Sequence, residues 1–426
     1  MRVRCEGTSC VASVSATNCL GLHVGESSVV QFLKIEEPPR TPVAEQGFAL
    51  WRLGFRPFYL LASGFAAVSI ALWALQFAGL LKGAYLRGPI WHAHEMLFGF
   101  TLAVVVGFLL TAGRNWSNRP TLSGAPLAAL AALWLAGRVL VLTPWGWAAA
   151  IVNVAFPLAA AVALGVPFFA ARNRRNYFFV GLLVLLALAQ LGVHLGELGV
   201  LKLPGWAGVQ LGLDVVLFIM SVMGGRVIPM FTNNGVPGAR ATRKPWLEKT
   251  VLGSVLALLA ADVFQLGGIA LALLCAFCAG AQLARWWLWQ PLKTWRVPLV
   301  WVLHLAYLWI AVHLLLRSLA ALGMIAPSVA THALTAGAIG GLVIGMMTRT
   351  ARGHTGRPLR ASRADVACYV MLALAALVRV ALPMVAPALT VHAVLCAGVL
   401  WSAGFGLYAI AYWPALTRPR IDGRPG

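Results

Sequence analysis

From residue 48 onward, long apolar runs alternate with short polar breaks. Twelve runs are long enough to cross a bilayer as helices, with limits near 56–80, 90–112, 124–143, 147–171, 177–200, 206–230, 247–267, 268–288, 297–320, 327–347, 365–387 and 390–414. The hydrocarbon core of a membrane demands roughly 17–25 predominantly apolar residues of a helix, and the runs match that length. The breaks at 143–147, 267–268 and 387–390 are tight turns carrying Pro or Gly, so the helices they join are expected to lie antiparallel. No internal repeat stands out. Residues 1–47 are polar, rich in Ser, Thr and Glu, and lack the basic start and apolar core of a signal peptide. They read as a disordered tail or as an extension from an upstream start codon. The expected fold class is all-α: a bundle of about twelve transmembrane helices over 48–416, with a short basic tail over 417–426.

Composition agrees. Of 426 residues, 60% are hydrophobic and 11% charged, whereas soluble domains carry about 25% charge. A net charge of +21 would suit a nucleic-acid partner. Here, however, the bases lie in short loops and no basic folded domain exists to carry them, so nucleic acid is excluded. The positive-inside rule accounts for the bases instead. With both termini in the cytoplasm, and leaving aside the tail and the entrance to the first helix, 21 bases fall on the cytoplasmic side and six on the other, namely Lys82, Arg87, Arg138, Lys202, Arg317 and Arg379. Of seven cysteines, Cys5, Cys10 and Cys19 lie in the tail, and Cys275, Cys278, Cys368 and Cys396 in apolar runs. Cys275-x-x-Cys278 inside a hydrophobic helix reads as packing.

That topology sorts the ionisable residues by depth. His92, His94, His194, His313, His332 and His392, six of nine histidines, fall in the outer layer of the membrane, with Glu95, Glu197, Asp214 and Asp262. Any one histidine inside a membrane is more often an interhelical hydrogen bonder than a ligand. A layer of them is different, since each charged group there costs at least about 2.5–3.5 kcal/mol, and it points to a shared metal or haem site. His92 and Glu95 are spaced to share a helical face, as are His194 and Glu197, and His392 and Cys396. His92 and His94 point about 200° apart on an ideal helix, so one metal does not take both. Glu95 and Glu197 are expected to handle protons or orient ligands. Met220, Met223, Met346 and Met347 read as core packing.

The densest stretch, Pro89 to Pro120, contains WHAHEMLFGF and GFLLTAGRNW. It resembles the signature of the NnrS family, polytopic bacterial membrane proteins associated with haem, copper and the nitric oxide response. Three further segments are similar to that family: Phe55-Arg56-Pro57-Phe58, Gly225 to Pro229 with Phe231-Thr232, and Met347 to Arg349 with Gly353 to Leu359. The resemblance covers roughly residues 50 to 415. It implies the bacterial cytoplasmic membrane, haem and copper as cofactors, and nitric oxide as the small ligand. On the arginine-rich side, Arg226, Arg349, His354 and Arg357 are expected either to hold an anionic group, haem propionates included, because guanidinium offers a bidentate fork, or to serve as topology-fixing charges and helix stops. A haem in the outer histidine layer would lie beyond their reach. Two rival classes stay open: a small-solute or metal transporter, and a non-catalytic membrane sensor or assembly protein.

Overall fold

The computed structural model describes residues 47–77, 79–81, 83–202 and 205–423. The expected N-terminal tail, apart from Gly47, lies outside the described residues, as do Lys82 and Arg424 of the topology count. Among the described residues every regular element is helical. Twelve rods run in chain order: α1 Phe55–Phe77, α2 Gly88–Ser117, α3 Gly124–Leu140, α4 Gly146–Ala170, α5 Phe178–Glu197, α6 Gly205–Gly235, α7 Pro245–Val263, α8 Gly268–Trp287, α9 Pro298–Ala321, α10 Pro327–His354, α11 Arg363–Val385 and α12 Thr390–Thr417. Ten are long and apolar enough to cross a membrane; α3 is shorter, and α7 carries Glu248, Lys249 and Asp262. The chain is an all-α polytopic membrane protein.

Two helices outrun their apolar cores. The apolar run that forms α6 ends near residue 230, yet α6 continues to Gly235 with Pro229 inside it. A proline is tolerated there because neighbouring helices and side chains satisfy the freed backbone groups. Likewise α10 runs on through Arg349 to His354, which places both residues on the helix.

Neighbours in sequence pack side by side through most of the chain, and α12 returns against α1, closing the ring. The seam is pinned at one end, where Ala49 N donates to Thr417 O (2.7 Å) and the buried Arg56 donates to the carbonyls of Leu416 (3.0 Å) and Arg418 (2.8 Å). Helices α2 and α6 are the most enclosed, and contacts of α2 with α6, α6 with α9, and α1 with α10 fill the middle. The rim presents apolar side chains such as Ile151, Val162, Leu273, Phe277, Val399 and Ile410 to lipid.

Repetition that the primary sequence hides emerges in three dimensions. Helices α2 and α10 each widen into a seven-residue π-helical stretch, Glu95–Thr101 and Ala333–Ile339, and each stretch begins directly after a histidine, His94 or His332. In the same register both carry Gly99 or Gly337, Gly107 or Gly345, Arg114 or Arg352, and Arg119-Pro120 or Arg357-Pro358. The intervening positions are too degenerate for the match to show in sequence alone. π-Helical turns inside α-helices concentrate at functional sites, and these two face the same part of the bundle interior.

Candidate functional site

The 200° divergence of His92 and His94 is realised, and it splits the histidine layer in two. His92 faces a cavity of about 540 Å³ between α2 and α10 that also reaches α6, α11 and α12. Its ring lies 6.3 Å from that of His332 across the cavity, with the two planes within 10° of parallel. Trp73 packs on His92 at 4.9 Å. His332 Nδ1 lies 2.7 Å from the carbonyl of Ser328, an acceptor only, so Nδ1 carries the proton and Nε2 keeps a lone pair. His92 Nδ1 is buried and has no hydrogen-bond partner. The remaining walls are largely apolar: Met96, Phe100, Ile339 and Trp401. Arg379 also lines the cavity and carries no ion pair among the described residues.

His94 turns the other way, into a closed polar network. Its Nδ1 donates to Glu95 Oε1 (2.8 Å), and its Nε2 accepts from Gln190 Nε2 (3.1 Å). Glu95 Oε1 also accepts from Arg138 Nη1 of α3 (2.6 Å), an ion pair with both side chains buried. Arg138 Nη2 donates to Asn153 of α4, and Gln190 Nε2 lies 3.3 Å from Asn153 Oδ1. The ring of His194 sits 4.9 Å from that of His94 and stacks on Tyr85, whose hydroxyl donates to the carbonyl of His194 (3.1 Å). Burial, with Glu197 nearby, holds the Tyr85 phenol above its ordinary range, so it acts as a neutral donor. The expected pairing of Glu95 with His92 is therefore replaced. Arg138 compensates a carboxylate that would otherwise be left charged in a low-dielectric interior, and that outweighs helical spacing.

Gly99 makes this network possible. A Cβ there would overlap Arg138 Nη1 and press on Phe65 at 3.0 Å. Trp134 Nε1 also donates to the Gly99 carbonyl (2.9 Å), anchoring the π-helical stretch to α3. Gly99→Ala is expected to push Arg138 off Glu95 and destabilise the protein by about 1–3 kcal/mol, the usual cost of overpacking. Thermal unfolding in detergent checks this.

The rest of the outer layer disperses. His313 is buried with Nδ1 2.7 Å from Ala330 O, an interhelical hydrogen bond. His392 and Cys396 share a face as expected, but it is an exposed one. Glu197 is exposed at the end of α5. Asp214 and Asp262 both pair with Arg317 and both accept from Gln210, at 3.0 Å and 3.3 Å. Among the described residues, no group of three or more His, Cys, Asp or Glu side chains is placed to hold a metal ion.

At the opposite end, the four residues expected to hold an anion also separate. Arg226 donates to Asn176 Oδ1 (2.9 Å) and packs against Trp116, Phe178 and Phe179. Arg349 lies over the Phe231 ring at 3.8 Å, and with His354 it lines a second cavity. Arg357 sits beside that end without lining the cavity. Arg349 stands on the order of 25 Å from His332 along α10 at the helical rise of about 1.5 Å per residue, so these arginines do not reach a group held at His92 and His332.

Sequence reasoning missed Arg379, Arg138, Gln190 and Asn153. The two arginines were counted as topology-setting charges, and the amides gave no signal, because only the tertiary arrangement around α2 reveals what they meet.

No curated protein matches the chain. The model of the family described as NnrS protein matches residues 49–420, a span that takes in all twelve helices. The chain belongs to the NnrS protein family.

Proposed function

We propose that this chain is a haem-carrying membrane protein of the nitric oxide response, with the haem held in the cavity between α2 and α10. The observation that carries the proposal is the facing pair His92 and His332, 6.3 Å apart, in an apolar cavity of about 540 Å³. His92 and His332 are the residues that would hold the haem iron, one imidazole from α2 and one from α10. The buried His92 nitrogen without a partner and the His332 tautomer fixed by Ser328 both suit ligation. Arg379, free of an ion pair among the described residues, would meet a porphyrin carboxylate. Bound there, haem iron would supply a centre with affinity for a neutral diatomic gas, provided that one of the two imidazoles gives way to it. The chain's own part is to exclude water with Phe100, Ile339 and Trp401, and to admit a ligand that partitions from lipid.

Copper has no equivalent support: with no three-ligand group among the described residues, no role is derived for it. His94 and His194 are better assigned, with Glu95, to holding α2 in position and to moving a proton behind the cavity wall. The arginine-rich end faces the cytoplasm of a bacterial inner membrane in this reading, which the distribution of bases supports. The test is the absorption spectrum of the purified, haem-supplied, reduced protein before and after adding nitric oxide. A Soret band that shifts with the gas is expected. A haem spectrum insensitive to the gas would remove nitric oxide from the proposal.

A further inference from the structure

We infer that the second cavity, at the arginine-rich end, binds an amphiphilic organic anion: a ring-bearing apolar body with a phosphate or carboxylate head. The inference stands apart from the haem proposal. The cavity has a volume of about 480 Å³ and lies among the last turns of α2, α6 and α10. Its walls are apolar and aromatic, formed by Phe108, Trp116, Met223 and Phe231. Its cations are Arg349 and Arg420, and the Asn115 amide, the His354 ring and the Thr111 and Thr350 hydroxyls can each donate or accept. No carboxylate lines it.

The charge balance favours an anion. The three acids described at this end are already engaged: Glu248 by Arg285, Asp365 by Arg352 and Asp422 by Arg420. Arg56, Arg114, Arg349 and Arg357 have no ion pair among the described residues. The carbonyl ends of α2, α6 and α10 offset part of this, at roughly half an elementary charge each, about 1.5 in all. Four arginines exceed that, and Arg349 is the one that lines the cavity. Stacking on Phe231 holds its planar fork in place while leaving its N–H edges free to take two oxygens of one head group. The aromatic walls then favour a ligand with an apolar body over a bare inorganic anion.

The experiment measures binding of phenyl phosphate and of inorganic phosphate by calorimetry, using full-length protein in nanodiscs of zwitterionic lipid. Saturable one-to-one binding of phenyl phosphate is expected, about tenfold or more tighter than inorganic phosphate. Arg349→Gln should weaken it by about tenfold or more, Arg349→Lys should retain part of it, and Arg175→Gln, at an exposed site, should leave it unchanged. Repeating the titration with an anionic phospholipid in the disc separates two sources of the same chemistry. Competition identifies a lipid head group as the occupant, and undiminished binding identifies a soluble one. No saturable binding to the wild type, or equal binding by a correctly inserted Arg349→Gln protein, would overturn the inference.

Discussion

Replacing His332 with alanine is expected to reduce haem retention by more than about a hundredfold while the protein still inserts and folds. The size follows from what is lost. Disturbing only the partners that orient a metal ligand typically costs about 10–100-fold in affinity, and His332 is proposed as the ligand itself. Folding should survive because His332 lies at the cavity rim, and its one fixed hydrogen bond is to a carbonyl in its own first turn, Ser328 O at 2.7 Å. His92→Ala should match it, since His92 supplies the facing imidazole. Haem-to-protein ratio after purification from haem-supplied cells gives the readout, with size-exclusion behaviour as the folding control.

The second large effect falls on stability. Arg138→Ala is expected to destabilise the bundle by about 3–5 kcal/mol, because it strands the Glu95 carboxylate in the interior with His94 as its one remaining partner. Against a typical stability of about 5–15 kcal/mol, that is a large share. The same reasoning predicts rescue. Pairing Arg138→Met with Glu95→Gln removes both charges together and should recover much of the loss, as buried ion pairs are often replaceable by neutral groups of similar volume. Thermal unfolding of the single and double variants in detergent checks both. A double variant no better than the worse single would show that the network matters through something other than its charge.

The two effects separate the faces of α2. That helix was legible in the sequence because its apolar run has the length of a bilayer, and so were the others, whose limits mostly agree with the observed rods. The ends of α6 and α10 were not, because their final turns are polar and carry Pro229 or arginines while remaining helical. The opposite orientation of His92 and His94 was legible because it needs only the helical angle. Their partners were not. Glu95 belongs with Arg138, forty-three positions on in α3, and Arg317 belongs with Asp214 and Asp262. Arg138 and Arg317 looked like loop charges setting topology, because a basic residue near a helix end has the same sequence appearance whether it meets water or a buried carboxylate. The six histidines do not gather into one cluster, since depth along a helix says nothing about which neighbour a side chain faces. The π-helical stretches left no signal beyond the glycines that permit close packing, Gly99 against Arg138 and Gly337 against Trp309. Their matched register also bears on the transporter reading. Such folds bind substrate at broken helices near mid-membrane, whereas α2 and α10 stay helical through the stretches that follow His94 and His332.

The most direct test of the account compares haem content in two double variants, His92→Ala with His332→Ala, and His94→Ala with His194→Ala, against the wild type. The account predicts haem in the wild type and in the His94/His194 variant, and none in the His92/His332 variant. Haem retained without His92 and His332, or lost only without His94 and His194, would contradict it.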